Sequence, residues 1–277
     1  MTETAEDKKE IVVLIPAAGA GKRTGEGCPK QFLPLKGKPL LVHTLERFQE
    51  SPFIDHIYLV VPKGRVVFCR REIVEQYSLD KVVGIVEGGE ERQDSVYKGF
   101  SRIAFSHESE ATVQGSCCNL SSSESSSSRV VEKPPKMILV HDGARPFVSE
   151  RLIQDVLRAA QVWGTGVAAL PCWDTIKETN RERVVLRTLD RSRLWRVQTP
   201  QCFQYDILRE ALEGAKQYGF YGTDEASLVE RKGYEVRIVR GDPYNLKITT
   251  PEDFLFGEWL LERGWVSDSG PSIRRCE

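Results

Sequence analysis

Ile11-Val-Val-Leu-Ile-Pro-Ala-Ala-Gly-Ala-Gly-Lys-Arg-Thr-Gly25 decides the fold of this chain. Five consecutive apolar residues at 11–15 suit a strand buried on both faces, which is the habit of parallel sheets. The small residues at 16–21 let the backbone approach a ligand closely and point N–H groups at phosphate oxygens. Lys22, Arg23 and Lys30 add side-chain charge, and over 16–38 five cations stand against one anion. Such a turn at a strand end reads as an anion site, here for a nucleotide triphosphate. Two familiar motifs are excluded. A P-loop requires Gly where Pro16 stands and Ser or Thr where Arg23 stands. The dinucleotide pattern fails because Gly19, Gly21 and Gly25 are spaced one residue too far.

Working outward, similar short apolar runs recur at 57–61, 82–86, 137–140, 167–170 and 236–239. Segments with helical spacing lie between them. Leu40, Leu41, Leu45 and Phe48 share one face, as do Leu152, Val156, Leu157 and Ala160, and again Ile207, Leu208, Leu212 and Ala215. Thr223-Asp-Glu-Ala and Thr250-Pro-Glu-Asp each read as a helix start with a Thr cap and an acidic first turn. Strands alternating with helices predict an α/β fold with a mostly parallel sheet covered on both faces.

Two stretches interrupt this alternation. Residues 106–134 hold ten serines, and so polar a tract does not bury enough apolar surface to offset the entropy of ordering it. A disordered, solvated insertion is expected there, with a phosphorylated regulatory loop as the alternative. Residues 174–190 form two alternating segments around Asn180-Arg-Glu-Arg, the pattern of a projecting β-hairpin. By pattern it is either an ordinary surface hairpin or an interface arm. The expected organisation is one domain over 10–265, with flexible tails at 1–9 and 266–277.

The chain has 277 residues, with 39 Lys+Arg against 40 Asp+Glu. That balance argues against a general nucleic-acid binder, which carries a basic excess, while leaving room for small phosphorylated ligands. No apolar run approaches the roughly 18 residues of a membrane span. The first ten residues resemble neither a secretory signal nor an Arg-rich transit peptide. Seven cysteines without a C-x-x-C pair, and four scattered histidines, indicate neither a disulfide framework nor a zinc site. A cytoplasmic location is expected, or a plastid if an address peptide has been removed.

His141-Asp-Gly-Ala-Arg-Pro follows the run at 137–140. An Asp at the carboxyl end of a buried parallel strand faces the crevice where open α/β sheets bind ligands. Asp142 there suits Mg²⁺ bound jointly with substrate phosphates, and Arg145 suits a phosphate. The alternative is an Asp capping the next turn with Arg145 paired to it. His141 reads as a packing residue rather than a base. Glu87-Gly-Gly-Glu-Glu-Arg-Gln-Asp-Ser offers a flexible loop to a base edge or a plain turn, and Lys247 sits in a strand-like segment, Asn245-Leu-Lys-Ile-Thr.

Together these segments resemble the 2-C-methyl-D-erythritol 4-phosphate cytidylyltransferases of the non-mevalonate isoprenoid pathway. Pro29-Lys-Gln-Phe-Leu, Asp174-Thr-Ile-Lys, Asp190-Arg and Thr199-Pro-Gln complete the set, in the family's order along nearly the whole chain. The resemblance implies a Rossmann-like nucleotidyltransferase that joins CTP and a polyol phosphate, with Mg²⁺ as cofactor. Ala17, Ala18, Gly89, Glu90 and Ser95 would surround cytosine and ribose. Gly19, Gly21 and Arg23 would hold the triphosphate. Arg23, Lys30 and Lys247 would be the catalytic cations, the lysines stabilising the α-phosphate. Asp142 would line the nucleotide site and bind the metal. Arg145, Thr175, Arg191, Thr199 and Thr223 would bind the polyol phosphate. The arm would cross to a second subunit, so that Thr175 and Arg191 serve the partner's site in a homodimer.

The implied chemistry is coherent. A substrate phosphate is already a nucleophile at neutral pH, so alignment and charge neutralisation suffice without a catalytic His or Cys. Departures from the family pattern are Thr24 after the Arg, Gly143 beside Asp142, and the serine-rich tract. The alternative substrate is ribitol 5-phosphate. A catalytically inert nucleotide-sensing protein on the same fold would be expected to lack part of the cation set or Asp142, and Arg23, Lys30, Asp142 and Lys247 are all present.

Overall fold

The computed structural model describes residues 10–19, 29–108 and 134–264. The predicted contacts of Gly21 and Arg23, both tails and nearly all of the serine-rich tract therefore lie outside the described residues. From the N-terminus come β1 (Ile11–Pro16), a ribbon of β2 (Pro34–Leu35) and β3 (Lys38–Pro39), α1 (Leu40–Glu50) and β4 (His56–Val61). Next are α2 (Val66–Cys69), prolonged by one π-helical segment, then β5 (Val82–Glu87) and α3 (Arg92–Glu108). The second half holds β6 (Met137–Val140), α4 (Glu150–Trp163), β7 (Thr165–Pro171), β8 (Lys177–Thr179), β9 (Val185–Thr188) and β10 (Trp195–Gln204). The chain continues with α5 (Tyr205–Gln217), α6 (Glu225–Arg231), β11 (Ile238–Arg240) and α7 (Pro251–Glu262).

Seven strands form one sheet in the order β11-β7-β10-β6-β1-β4-β5. All neighbours are parallel except β10, which runs antiparallel to both β6 and β7. β1 sits near the centre, with Val12 opposite His56 on one side and Ile138 on the other. Its side chains alternate between two cores. Val13 and Ile15 pack with Leu41, Leu45 and Phe48 of α1 and with Ile153 and Val156 of α4. Val12 and Leu14 pack with Val96 and Phe100 of α3 and with Leu208 and Leu212 of α5. The expected α/β sheet with helices on both faces is the observed one.

Local signals explain most element ends. The Ser149 hydroxyl accepts the Leu152 N–H at the start of α4, and Gly164, at φ 82°, ends it in the left-handed region. Thr250 caps α7 through a capping box, as expected. Three expectations need correction. α6 is capped by Asp224, not Thr223, because only Asp224 has Ser227 three residues on to complete its box. The run expected at 236–239 pairs as a strand only at Ile238–Arg240, on the sheet edge. Residues 245–249 form no strand; that segment is an extended loop anchored by the Ile248 N–H on the Ala144 carbonyl at 2.8 Å. The hairpin is present. β8 and β9 pair antiparallel, and the Asn180 side chain accepts the N–H groups of Glu182 and Val184 at the turn. Among the described residues, no helix is long and apolar enough to cross a membrane.

Candidate active site

Loops at the carboxyl ends of β1, β5 and β6 enclose a cleft of about 320 Å³. The Ala17 N–H donates to the Val60 carbonyl (2.7 Å), which carries the β1 loop along the end of β4. Gln31, only 3% exposed, donates to the carbonyls of Ala17 (2.6 Å) and Gly19 (3.2 Å) and fixes where that loop begins. On the opposite wall the Gly89 N–H donates to Ser95 Oγ at 3.1 Å, and Ser95 Oγ donates to the Glu91 carbonyl at 3.2 Å. The walls meet where Gly88 faces Ala18, and a Cβ on Gly88 would overlap both Ala18 Cβ and Ser95 Oγ. Gly143 is nearly as confined, since an added Cβ would lie 2.9 Å from Ala17 Cβ.

Nine residues assigned from sequence line this one cleft: Ala17, Ala18, Gly19, Lys30, Gly89, Glu90, Ser95, Asp142 and Lys247. A larger cavity of about 490 Å³ lies behind the 89–90 turn, against Tyr97, Leu212 and Phe220, and apart from Gly89 and Glu90 no assigned residue lines it. Asp142 is the electrostatic centre of the cleft. Its Oδ2 accepts from Lys247 Nζ (2.7 Å), its Oδ1 accepts from Arg92 Nε (3.2 Å), and Arg145 Nε stands 3.8 Å from Oδ2. Burial pushes the Asp142 carboxyl up, but Arg92, Lys247 and Arg145 together outweigh it and hold the group well below the usual carboxylate range. Asp142 is therefore ionised at any physiological pH. Asp142 lines the cleft and forms an ion pair with Arg145.

Lys30 reaches the same cleft from a 3₁₀ turn, and its Nζ donates to the Ile248 carbonyl at 2.8 Å. That bond ties it to the loop carrying Lys247. The Lys247 side chain is 39% exposed and is the most accessible of the cations around Asp142. His141 is fully buried, with Nε2 3.0 Å from the Arg145 carbonyl and its ring edge-on to Phe48. Burial pushes it down to about 4, so it packs rather than exchanging protons, as expected.

The remaining assigned residues fall into two groups. Thr199 and Arg145 stand behind Asp142. Thr199 Oγ1 accepts the Asp142 N–H at 3.0 Å and keeps its own O–H to donate, while Arg145 Nη1 donates to the Asn245 carbonyl at 2.7 Å. Arg145 Nε is buried without a hydrogen-bond partner. Thr175, Arg191 and Thr223 are exposed and line no part of the cleft; Arg191 donates to the Trp173 carbonyl at the foot of the hairpin. Sequence reading assigned no role to Gln31 or Arg92, although both sit inside quoted segments. Their partners lie in other parts of the chain, so no local pattern announces them.

Among the described residues, no three His, Cys, Asp or Glu side chains gather to hold a metal by themselves. Asp142 is an ionised oxygen donor beside a glycine-lined cleft wall. Such a donor suits a magnesium ion that takes its other ligands from phosphate oxygens and water.

Sequence and structure comparisons agree on the family. A family model described as "IspD: 2-C-methyl-D-erythritol 4-phosphate cytidylyltransferase" matches residues 11–113 and 105–263. A protein of that name from Syntrophus aciditrophicus is 43% identical over 256 residues, covering 92% of this chain and 97% of its own. The crystal structure of the 2-C-methyl-D-erythritol 4-phosphate cytidylyltransferase of Thermus thermophilus superposes with a TM-score of 0.65 at 31% identity, covering 91% of this chain and 99% of that one. The 4-diphosphocytidyl-2C-methyl-D-erythritol synthase of Anaerococcus prevotii gives 0.72 at 26% identity, covering 92% and 99%.

Proposed function

This chain belongs to the 2-C-methyl-D-erythritol 4-phosphate cytidylyltransferase family, and we infer that the cleft between β1, β5 and β6 is where it transfers CMP from CTP to that polyol phosphate, releasing pyrophosphate. The observation that carries this reading is the convergence of Lys30, Lys247 and ionised Asp142 on one small cleft walled by glycine-rich backbone. The named relatives support methylerythritol phosphate and lend nothing to the ribitol alternative.

Ala17, Ala18, Gly89, Glu90 and Ser95 form the wall that receives cytosine and ribose. Gly19, with Gly21 and Arg23 after it in the sequence, binds the triphosphate. The polyol phosphate attacks the α-phosphorus in line with the departing pyrophosphate, and negative charge spreads over the equatorial oxygens. Lys30 and Lys247 neutralise that charge, and Lys247 turns from Asp142 to phosphate as the substrates enter. Asp142 would be the protein carboxylate that holds magnesium, which would supply charge neutralisation for the phosphates. Arg145 and Thr199, both beside Asp142, bind the polyol phosphate.

Thr175 and Arg191 reach substrate only from a second subunit. Trp173, Val184, Val185, Leu186 and Trp195 are exposed on the hairpin and its stem, an apolar patch that a second copy would cover. A homodimer joined by this arm completes each cleft with the partner's Thr175 and Arg191.

The test pairs purified protein with CTP, Mg²⁺ and either polyol phosphate, following pyrophosphate release. Methylerythritol phosphate should turn over far faster. Preference for ribitol 5-phosphate would overturn the substrate.

A further inference from the structure

We propose that Arg92 is a positioning residue for the transfer reaction: anchored by Glu225, it fixes which Asp142 oxygen is presented to the cleft. This inference rests on the reading of Asp142 as the metal-facing carboxylate. Arg92 opens α3, and its guanidinium divides its donors between two acids. Nη1 and Nη2 donate to the two Glu225 oxygens at 2.6 and 2.9 Å, while Nε donates to Asp142 Oδ1 at 3.2 Å. Only a planar, forked cation makes these three bonds at once.

The anchor is itself tied to the sheet. Glu225, 1% exposed, is the first residue of α6. Asp224 beside it accepts from Gln201 Nε2 at 2.8 Å, and the Ala226 N–H donates to Gln201 Oε1 at 3.1 Å. Gln201 pairs in register with Val140 of β6, two residues before Asp142. The bonds thus close a ring from β6 through β10, α6 and α3 back to Asp142. Thr199, also on β10, holds the Asp142 N–H. Backbone and carboxylate are fixed from the same strand.

A partly buried ion pair is weak evidence for stability, because desolvating two charges can cost more than their attraction returns. A role in orientation accounts for its presence here. With Oδ1 held by the anchored Arg92, the oxygen left to a ligand is Oδ2, whose partner Lys247 is the more exposed of the two cations, at 39% against 31%. Arg92 acts through Asp142, and Glu225 acts through Arg92.

The experiment titrates Mg²⁺ against CTP binding by calorimetry, without polyol phosphate and so without turnover. It compares wild type with Glu225→Gln, Arg92→Lys and Asp142→Asn, and checks each fold by thermal melting. Loss of an outer partner to a metal ligand typically weakens metal affinity about 10- to 100-fold. Glu225→Gln and Arg92→Lys should therefore each raise the Mg²⁺ concentration for half-maximal CTP binding about tenfold or more, with CTP affinity at saturating Mg²⁺ changed by less than about threefold. Arg92→Lys keeps the charge, so rescue by lysine would overturn the orienting role. Wild-type Mg²⁺ dependence in Glu225→Gln, with dependence lost in Asp142→Asn, would overturn this inference alone. Unchanged dependence in Asp142→Asn would remove the underlying reading and this inference with it. Should Arg92→Lys fail to fold, Glu225→Gln decides the matter.

Discussion

Two acidic side chains at opposite ends of the central sheet have contrary chemistry. Asp142 follows β6 at the carboxyl end; Glu10 precedes β1 at the amino end. Both are largely removed from water, with side-chain exposures of 10% and 19%. Around Asp142 the loops bring Arg92, Arg145 and Lys247, and the carboxyl is held low. Around Glu10 the charge that acts is another acid, Asp55, and burial followed by that like charge pushes Glu10 up to about 7. Its Oε1 is buried without a hydrogen bond, with His56 Nε2 3.6 Å away. Burial alone does not make a carboxylate functional. What differs is the company each end recruits: the carboxyl-end loops carry cations from segments far apart in sequence, and the amino-end turn carries another acid. One end gathers cations around an ionised carboxylate, and the other tolerates a carboxyl by keeping it neutral over part of the pH range.

Removing a cation from the carboxyl end tests this contrast most severely. Lys247→Ala and Lys30→Ala should each lower kcat by about 10²- to 10³-fold, the scale of losing one donor to developing charge. The fold should survive, because neither lysine is buried. Turnover within a few-fold of wild type in both variants would break the assignment of that end to phosphoryl chemistry. A smaller effect is expected for Thr199→Val, which leaves the buried Asp142 N–H without its acceptor. The cost should be about 1–3 kcal/mol in denaturant unfolding, with a roughly tenfold fall in kcat/KM as Asp142 loses its backbone restraint.

The carboxyl end was largely legible in the sequence because its signals are local. A glycine-rich turn after an apolar run, and an Asp two residues after another, need no partner to be recognised, and Gly19, Gly89 and Asp142 do share one cleft. The five runs at 11–15, 57–61, 82–86, 137–140 and 167–170 are all strands. β10 was not legible. Its buried residues include Gln198, Thr199 and Gln201, which belong to no apolar pattern. They are tolerated there because Gln198 donates to the Asp242 and Asn245 carbonyls and Gln201 bonds Asp224. Arg92 escaped for the same reason, since its carboxylate partners lie 50 and 133 residues away. No local pattern around Lys247 points to Asp142, which lies 105 residues earlier. The misplaced cap at Thr223 was a choice between adjacent capping residues that only the Ser227 side chain resolves.

The amino end supplies the smaller and more easily isolated effects. Folded Glu10 titrates near 7 against an ordinary value of 4.5. Below about 4.5 it is protonated in both folded and unfolded chains. Between about 4.5 and 7 the unfolded chain releases the proton and the folded chain keeps it, so this group's contribution to stability is lost as pH rises across that window. With part of the Glu10 side chain still in contact with water, solvent screening reduces the full linkage value to about 1–2 kcal/mol. Glu10→Gln carries no proton to lose. Its unfolding free energy should match wild type near pH 4.5 and exceed it by that amount at pH 8, and the difference between the two chains cancels every other titrating group. Equal stabilities at both pH values would end the contrast between the two carboxylates. Asp55→Asn gives the finest adjustment, because burial, not Asp55, is the larger cause of the raised value. The amide oxygen still accepts the Ile11 N–H that Asp55 Oδ2 holds at 3.0 Å, so the fold is retained. The window should then narrow from its upper edge, moving the Glu10 midpoint below 7 without returning it to the ordinary value. Complete return would place the cause in charge repulsion, and the amino end would then differ from the carboxyl end only in the sign of its neighbours.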